Sequence, residues 1–119
     1  MRYVYIAGPY TGPTHDHRSF YQIERHILQA AETAKFLCEN GIGFFCPHLH
    51  SAHFEVIAPD VKPEYWYELD LHLMQACDAL YLLPGWENSK GSLRELEIMQ
   101  EWGRPIFDDL LEVVTWART

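Results

Sequence analysis

Short apolar runs alternate with helix-spaced patterns along the whole chain, and this alternation constrains its fold more than any other feature. Residues 2–7 are β-rich and mostly apolar and stop at Gly8-Pro9, the pattern of a buried first strand. Ser19-Phe20-Tyr21-Gln22 has the form of a capping box, with Ser at the N-cap and Gln three positions on. Ile23, Ile27, Ala30, Ala34 and Leu37 then recur at helical spacing as far as the helix stop Asn40-Gly41. Residues 42–46, closed by Pro47, read as a second strand. Residues 48–61, rich in His and Pro, read as a long loop, a type of segment that often carries function in compact domains. Pro63 suits the first turn of a helix bearing Trp66, Leu69, Leu73, Met74 and Cys77. Residues 79–83 form a third strand ended by Pro84-Gly85, and Ser89 caps a helix running to Trp102 and stopped by Gly103. Residues 105–107 are a short fourth strand, and residues 108–118 a last helix that covers the sheet. The order β-α-β-α-β-α-β-α predicts a mostly parallel sheet of four to five strands, with right-handed crossovers and helices on both faces. With 119 residues and no linker, the expectation is one α/β domain over residues 1–119, a three-layer sandwich of the flavodoxin or Rossmann type.

Charge narrows the partners. The formal net charge of -8 disfavours a nucleic-acid polymer, whose phosphates need Lys and Arg. It leaves room for a small anion held by backbone amides. Cys38, Cys46 and Cys77 form no metal or disulfide pattern, and an odd number suits reduced thiols. No apolar run approaches a membrane span, and residues 3–7 are too short for a signal peptide. The expected location is therefore the cytoplasm, away from membranes.

Two acids interrupt apolar helix faces. Glu95 shares its face with Gly91, Ile98, Met99 and Trp102, whereas Glu97 points elsewhere. Asp70 sits among Trp66, Leu73, Met74 and Cys77. Each is either a buried acid tied to a local partner or a functional group, since unpaired buried acids are rare. Desolvation of Asp70 would favour its proton-donating form. Ser89, Gly91 and Ser92 open the helix that carries Glu95. They form either a plain N-cap or, with the helix dipole, an anion site. Gly8-Pro9-Tyr10 follows the first strand, as a simple turn or as a wall beside a ligand at the carboxyl edge. Trp86 stands in the loop next to the same edge, while Asp16, His17 and Arg18 lie in the first βα loop. His48, His50 and His53 fit no standard zinc spacing, and no metal site is expected.

With those residues in place, the chain resembles the nucleoside 2-deoxyribosyltransferase superfamily. It is most similar to the small uncharacterised, DUF4406-like members and to the 2'-deoxynucleoside 5'-phosphate N-hydrolases. The resemblance rests on Tyr5-Ile6-Ala7-Gly8-Pro9-Tyr10, on Asp70 eight residues before Asp78, on the apolar run at 79–83, and on Ser89-x-Gly91-x-x-x-Glu95-Leu96-Glu97. It implies that Glu95 is a nucleophile forming a glycosyl-enzyme ester, that Asp70 is the acid assisting base departure, and that no metal or organic cofactor takes part. Six residues before the nucleophile, enzymes acting on unphosphorylated nucleosides typically carry an aspartate, which would repel a 5'-phosphate. This chain has Ser89 there, which favours a nucleoside monophosphate. The expectation is hydrolysis of the N-glycosidic bond of (deoxy)nucleoside 5'-monophosphates. Ser89, Gly91 and Ser92 would hold phosphate, and Gly8, Pro9, Tyr10 and Trp86 would line the site. Alternatives are a base-exchanging deoxyribosyltransferase and a non-catalytic nucleotide-binding module. The partner implied is a small nucleotide or nucleoside, in a homodimer or larger homo-oligomer.

Overall fold

The computed structural model describes residues 1–10 and 20–119. The chain forms β1 (Tyr3–Ala7), α1 (Phe20–Glu39), β2 (Gly43–Phe45), α2 (Pro47–His50), α3 (Phe54–Ile57) and α4 (Pro63–Gln75). It continues through β3 (Ala79–Leu82), a single 3-10 turn at Trp86–Asn88, α5 (Lys90–Glu101), β4 (Ile106–Phe107) and α6 (Leu110–Ala117). The four strands form one sheet in the order β2-β1-β3-β4, and every pairing is parallel. The predicted α/β class and strand sequence are those of the structure. Thr11, Gly12, Asp16, His17, Arg18 and the predicted cap Ser19 lie outside the described residues.

Side-chain alternation along the central strands builds two cores. Val4 and Ile6 of β1 and Ala79 and Tyr81 of β3 pack with Ala30, Ala34 and Leu37 of α1 and Val113 and Val114 of α6. Tyr5 and Ala7, with Leu80 and Leu82, face Met74 and Cys77 near the end of α4 and Met99 of α5. The first helix of the sheet therefore covers one face and α4 and α5 the other. Both central strands are buried throughout apart from Tyr3, which explains their near-continuous apolar sequence.

Local chemistry sets the element ends. Gly41 and Gly103 stop α1 and α5 with φ of +72° and +70°, a conformation glycine adopts without a Cβ penalty. The Arg104 guanidinium donates from Nη1 to the carbonyls of Met74, Gln75 and Cys77 at 3.0, 2.9 and 2.7 Å, which closes the C-terminus of α4. Gly8 is required for space. A Cβ there would stand 2.6 Å from Leu83 Cβ.

The expected loop at 48–61 differs from the structure, which places α2 and α3 within it. Each is a single turn, too short for a helical period to show in sequence. Pro47 starts α2, and His53 before α3 adopts a left-handed φ of 66°. Among the described residues, no helix is long and apolar enough to cross a membrane.

Candidate active site

Glu95 projects from α5 towards the central strand, where the Tyr5 hydroxyl donates to Glu95 Oε2. Tyr5 belongs to β1 and is itself fully buried. The face neighbours expected from spacing are present, with Met99 buried and Ile98 and Trp102 packed on the same core. Glu97 is exposed, as an ordinary surface acid would be. Burial pushes the Glu95 carboxyl up to about 8. The Tyr5 hydrogen bond opposes that rise, the Asp70 charge adds to it, and Arg94 eases it slightly. Arg94 itself lies over the Tyr67 ring at 4.4 Å.

Asp70 reaches the same place from α4, close enough for its charge to act on both Glu95 and Tyr5. Burial pushes its carboxyl up to about 6, and His50 partly offsets this. Its Oδ1 is buried without a hydrogen-bond partner among the described residues. An unsatisfied buried carboxylate oxygen is costly. The Tyr5 phenol is held far above its ordinary range by burial and by the two acids. It therefore acts as a fixed hydrogen-bond donor and keeps its proton.

The start of α5 lies at the carboxyl edge of β3. Ser89 caps it and is buried, with its Oγ accepting from the Ser92 amide at 3.2 Å and the Ser92 hydroxyl at 3.0 Å. The Leu93 amide already bonds the Ser89 carbonyl. Among the described residues, the Lys90 and Gly91 amides thus remain as the helix's open donors. A Cβ at Gly91 would meet nothing within 4 Å, so the backbone there is open to solvent. Trp86 is half-buried and packs against the α4–α5 core.

Pro9 and Tyr10 lie at the carboxyl edge of β1 but turn their hydrogen bonds towards the 47–57 segment. The Tyr10 hydroxyl donates to Glu55 at 2.6 Å and accepts from the His53 amide at 2.7 Å. The Pro9 carbonyl accepts from His48 Nε2 at 2.8 Å. His48 therefore carries its proton on Nε2, and its Nδ1 accepts from the Cys46 thiol at 3.6 Å. Burial drives His48 towards the neutral form and pushes the Cys46 thiol up to about 12. This pair fastens α2 to the β1 loop. Among the described residues, no three His, Cys, Asp or Glu side chains are arranged to hold a metal.

Sequence reasoning singled out Glu95 and Asp70, and the structure brings them together with Tyr5. It missed Tyr5 as a site-shaping residue. The available signal for Tyr5 was a hydroxyl on a strand position that alternation turns to the same face as Ala7.

These features define an α/β domain with a paired-acid site against its central strand. Residues 2–108 match the family model described as "Domain of unknown function (DUF4406)", and the chain belongs to that family. No curated protein matches it. Among solved structures, a conserved protein from Enterococcus faecalis V583 is similar in fold, with a TM-score of 0.59 and 18% sequence identity. The match covers 89% of this chain and 61% of that one, so this chain spans about three-fifths of its length.

Proposed function

We propose that this protein cleaves the N-glycosidic bond of (deoxy)nucleoside 5'-monophosphates, with Glu95 as nucleophile and Asp70 as acid. The observation that carries the reading is the pair itself. Two carboxyls from different helices approach the Tyr5 hydroxyl, and one has a buried oxygen without a partner among the described residues. A carboxylate oxygen of Glu95 attacks the anomeric carbon as the carbon–nitrogen bond breaks. The bonding pair leaves with the base, and Asp70 supplies its proton. Water then attacks the same carbon, gives its proton to Asp70, and releases the sugar phosphate from Glu95. The open Lys90 and Gly91 amides at the start of α5 suit the 5'-phosphate.

Purified protein incubated with each deoxyribonucleoside and ribonucleoside monophosphate should release free base on a chromatographic assay. Glu95→Gln should lower that rate by at least about a thousandfold while circular dichroism stays unchanged. Unchanged turnover in Glu95→Gln would overturn the assignment of the nucleophile. Adding a second free base and finding a new nucleoside would shift the reading to transfer. Saturable nucleotide binding without base release would shift it to a binding module.

A further inference from the structure

A cavity lies at the carboxyl edge on the α1 side of the sheet, whereas the two acids come from α4 and α5 on the other side. Parallel sheets bind ligands where consecutive crossovers leave in opposite directions. Here that point falls between β1, whose chain runs to β2, and β3, whose chain runs to β4. The β1 and β3 loops touch there, since a Cβ on Gly85 would stand 3.3 Å from Pro9 Cγ. A cavity of about 430 Å³ opens at this crevice against α1, lined by Pro9, Arg25, His26, Gln29, Glu32 and Asn88. Asn88 immediately precedes Ser89, so the cavity continues from the start of α5.

Its size and chemistry are wrong for a terminal phosphate. Volumes of roughly 300–1,000 Å³ hold whole organic ligands. Glu32 would repel a polyphosphate tail, with Arg25 the cation among the named lining residues. The cavity offers mixed hydrogen-bonding groups instead. His26 Nδ1 donates to the Tyr10 carbonyl at 3.2 Å, which fixes the ring at the wall of the cavity and turns Nε2 away from that bond. Glu32 contributes a carboxylate, and Gln29 and Asn88 contribute amides. Such a set matches hydroxyl groups, and a carboxylate commonly holds a sugar diol.

We propose that this crevice binds the distal sugar of an extended nucleotide, one whose 5'-phosphate is joined through a second phosphate to a hydroxyl-rich sugar. This rests on the reading of Glu95 and Asp70 as the site of base release, and it names the substrate class as nucleoside diphosphate sugars. The proximal phosphate meets the α5 amides, Arg25 faces the second phosphate, and Glu32, Gln29 and His26 take the sugar hydroxyls.

The test compares matched pairs: AMP with ADP-glucose, GMP with GDP-glucose, CMP with CDP-glucose, UMP with UDP-glucose, and dTMP with dTDP-glucose. Dissociation constants measured calorimetrically on Glu95→Gln separate binding from turnover, and base release is followed with the unmodified protein. One pair should show the sugar nucleotide bound at least about tenfold tighter than its monophosphate, the worth of one or two charge-assisted hydrogen bonds. Glu32→Ala should remove that advantage and leave the monophosphate constant within about twofold. Equal binding across every pair, or equal loss for both ligands in Glu32→Ala, overturns the proposal. Absence of base release from every nucleotide overturns the catalytic reading separately, because the binding comparison does not depend on turnover.

Discussion

Glu95 keeps its proton into the neutral range, with opposite consequences for stability and for chemistry. Its folded pKa of about 8 lies above the ordinary carboxylate value. Between those two values the unfolded chain releases a proton that the folded chain retains, so stability falls as pH rises. The same sign applies to Asp70, over the narrower window up to about 6. Glu95→Gln should therefore melt higher than the unmodified protein at about pH 8, with the difference gone near pH 4. Thermal melts at the two pH values check this. The proposed hydrolysis needs the reverse arrangement, with Glu95 ionised and Asp70 protonated. Only the fraction of molecules with the proton on Asp70 rather than Glu95 is competent, and base release should follow a bell centred near pH 7, between the two values. The Tyr5 hydroxyl favours the ionised Glu95. Tyr5→Phe should move the alkaline side of that bell to higher pH and lower kcat by about tenfold or more. A pH–rate profile unchanged in Tyr5→Phe would remove Tyr5 from this role.

At the level of elements, α4, α5 and β1 carry the site, and the close approach of β1 to β3 at its carboxyl edge depends on Gly8. Gly8→Ala would drive a methyl to 2.6 Å from Leu83 Cβ. Because both partners sit next to main chain, the strands themselves must part, and the expected cost is about 1–3 kcal/mol. A denaturant titration measures it, and an unchanged midpoint would contradict the close contact. The helices α1, α4 and α5 were legible because each spans several turns and repeats its apolar positions. Residues 48–61 were not, since α2 and α3 are single turns held by contacts from elsewhere: His48 to Pro9 and the His53 amide to Tyr10. Distant partners decide such turns, and sequence spacing does not encode them.

For the whole molecule, the net charge of -8 would repel the proposed nucleotide substrate at long range, and salt screens such repulsion. The KM for a nucleotide should therefore fall, by roughly twofold, as sodium chloride rises from about 10 to about 150 mM. A protein binding a nucleic-acid polymer through basic residues would weaken instead, so steady-state kinetics at the two salt levels distinguish the cases. Sequence alone determined the α/β class, the sheet-facing stripes of α4 and α5, and the two acids that interrupt them. These are properties of local periodicity, which steric and hydrophobic rules impose on a few consecutive residues. The tertiary structure alone decided that Tyr5, 90 positions from Glu95, donates to it, that His48 fastens to Pro9, and that a polar crevice opens between α1 and the β3 loop. Those depend on which strands become neighbours, because contacts between residues remote in sequence are set only when the sheet order closes.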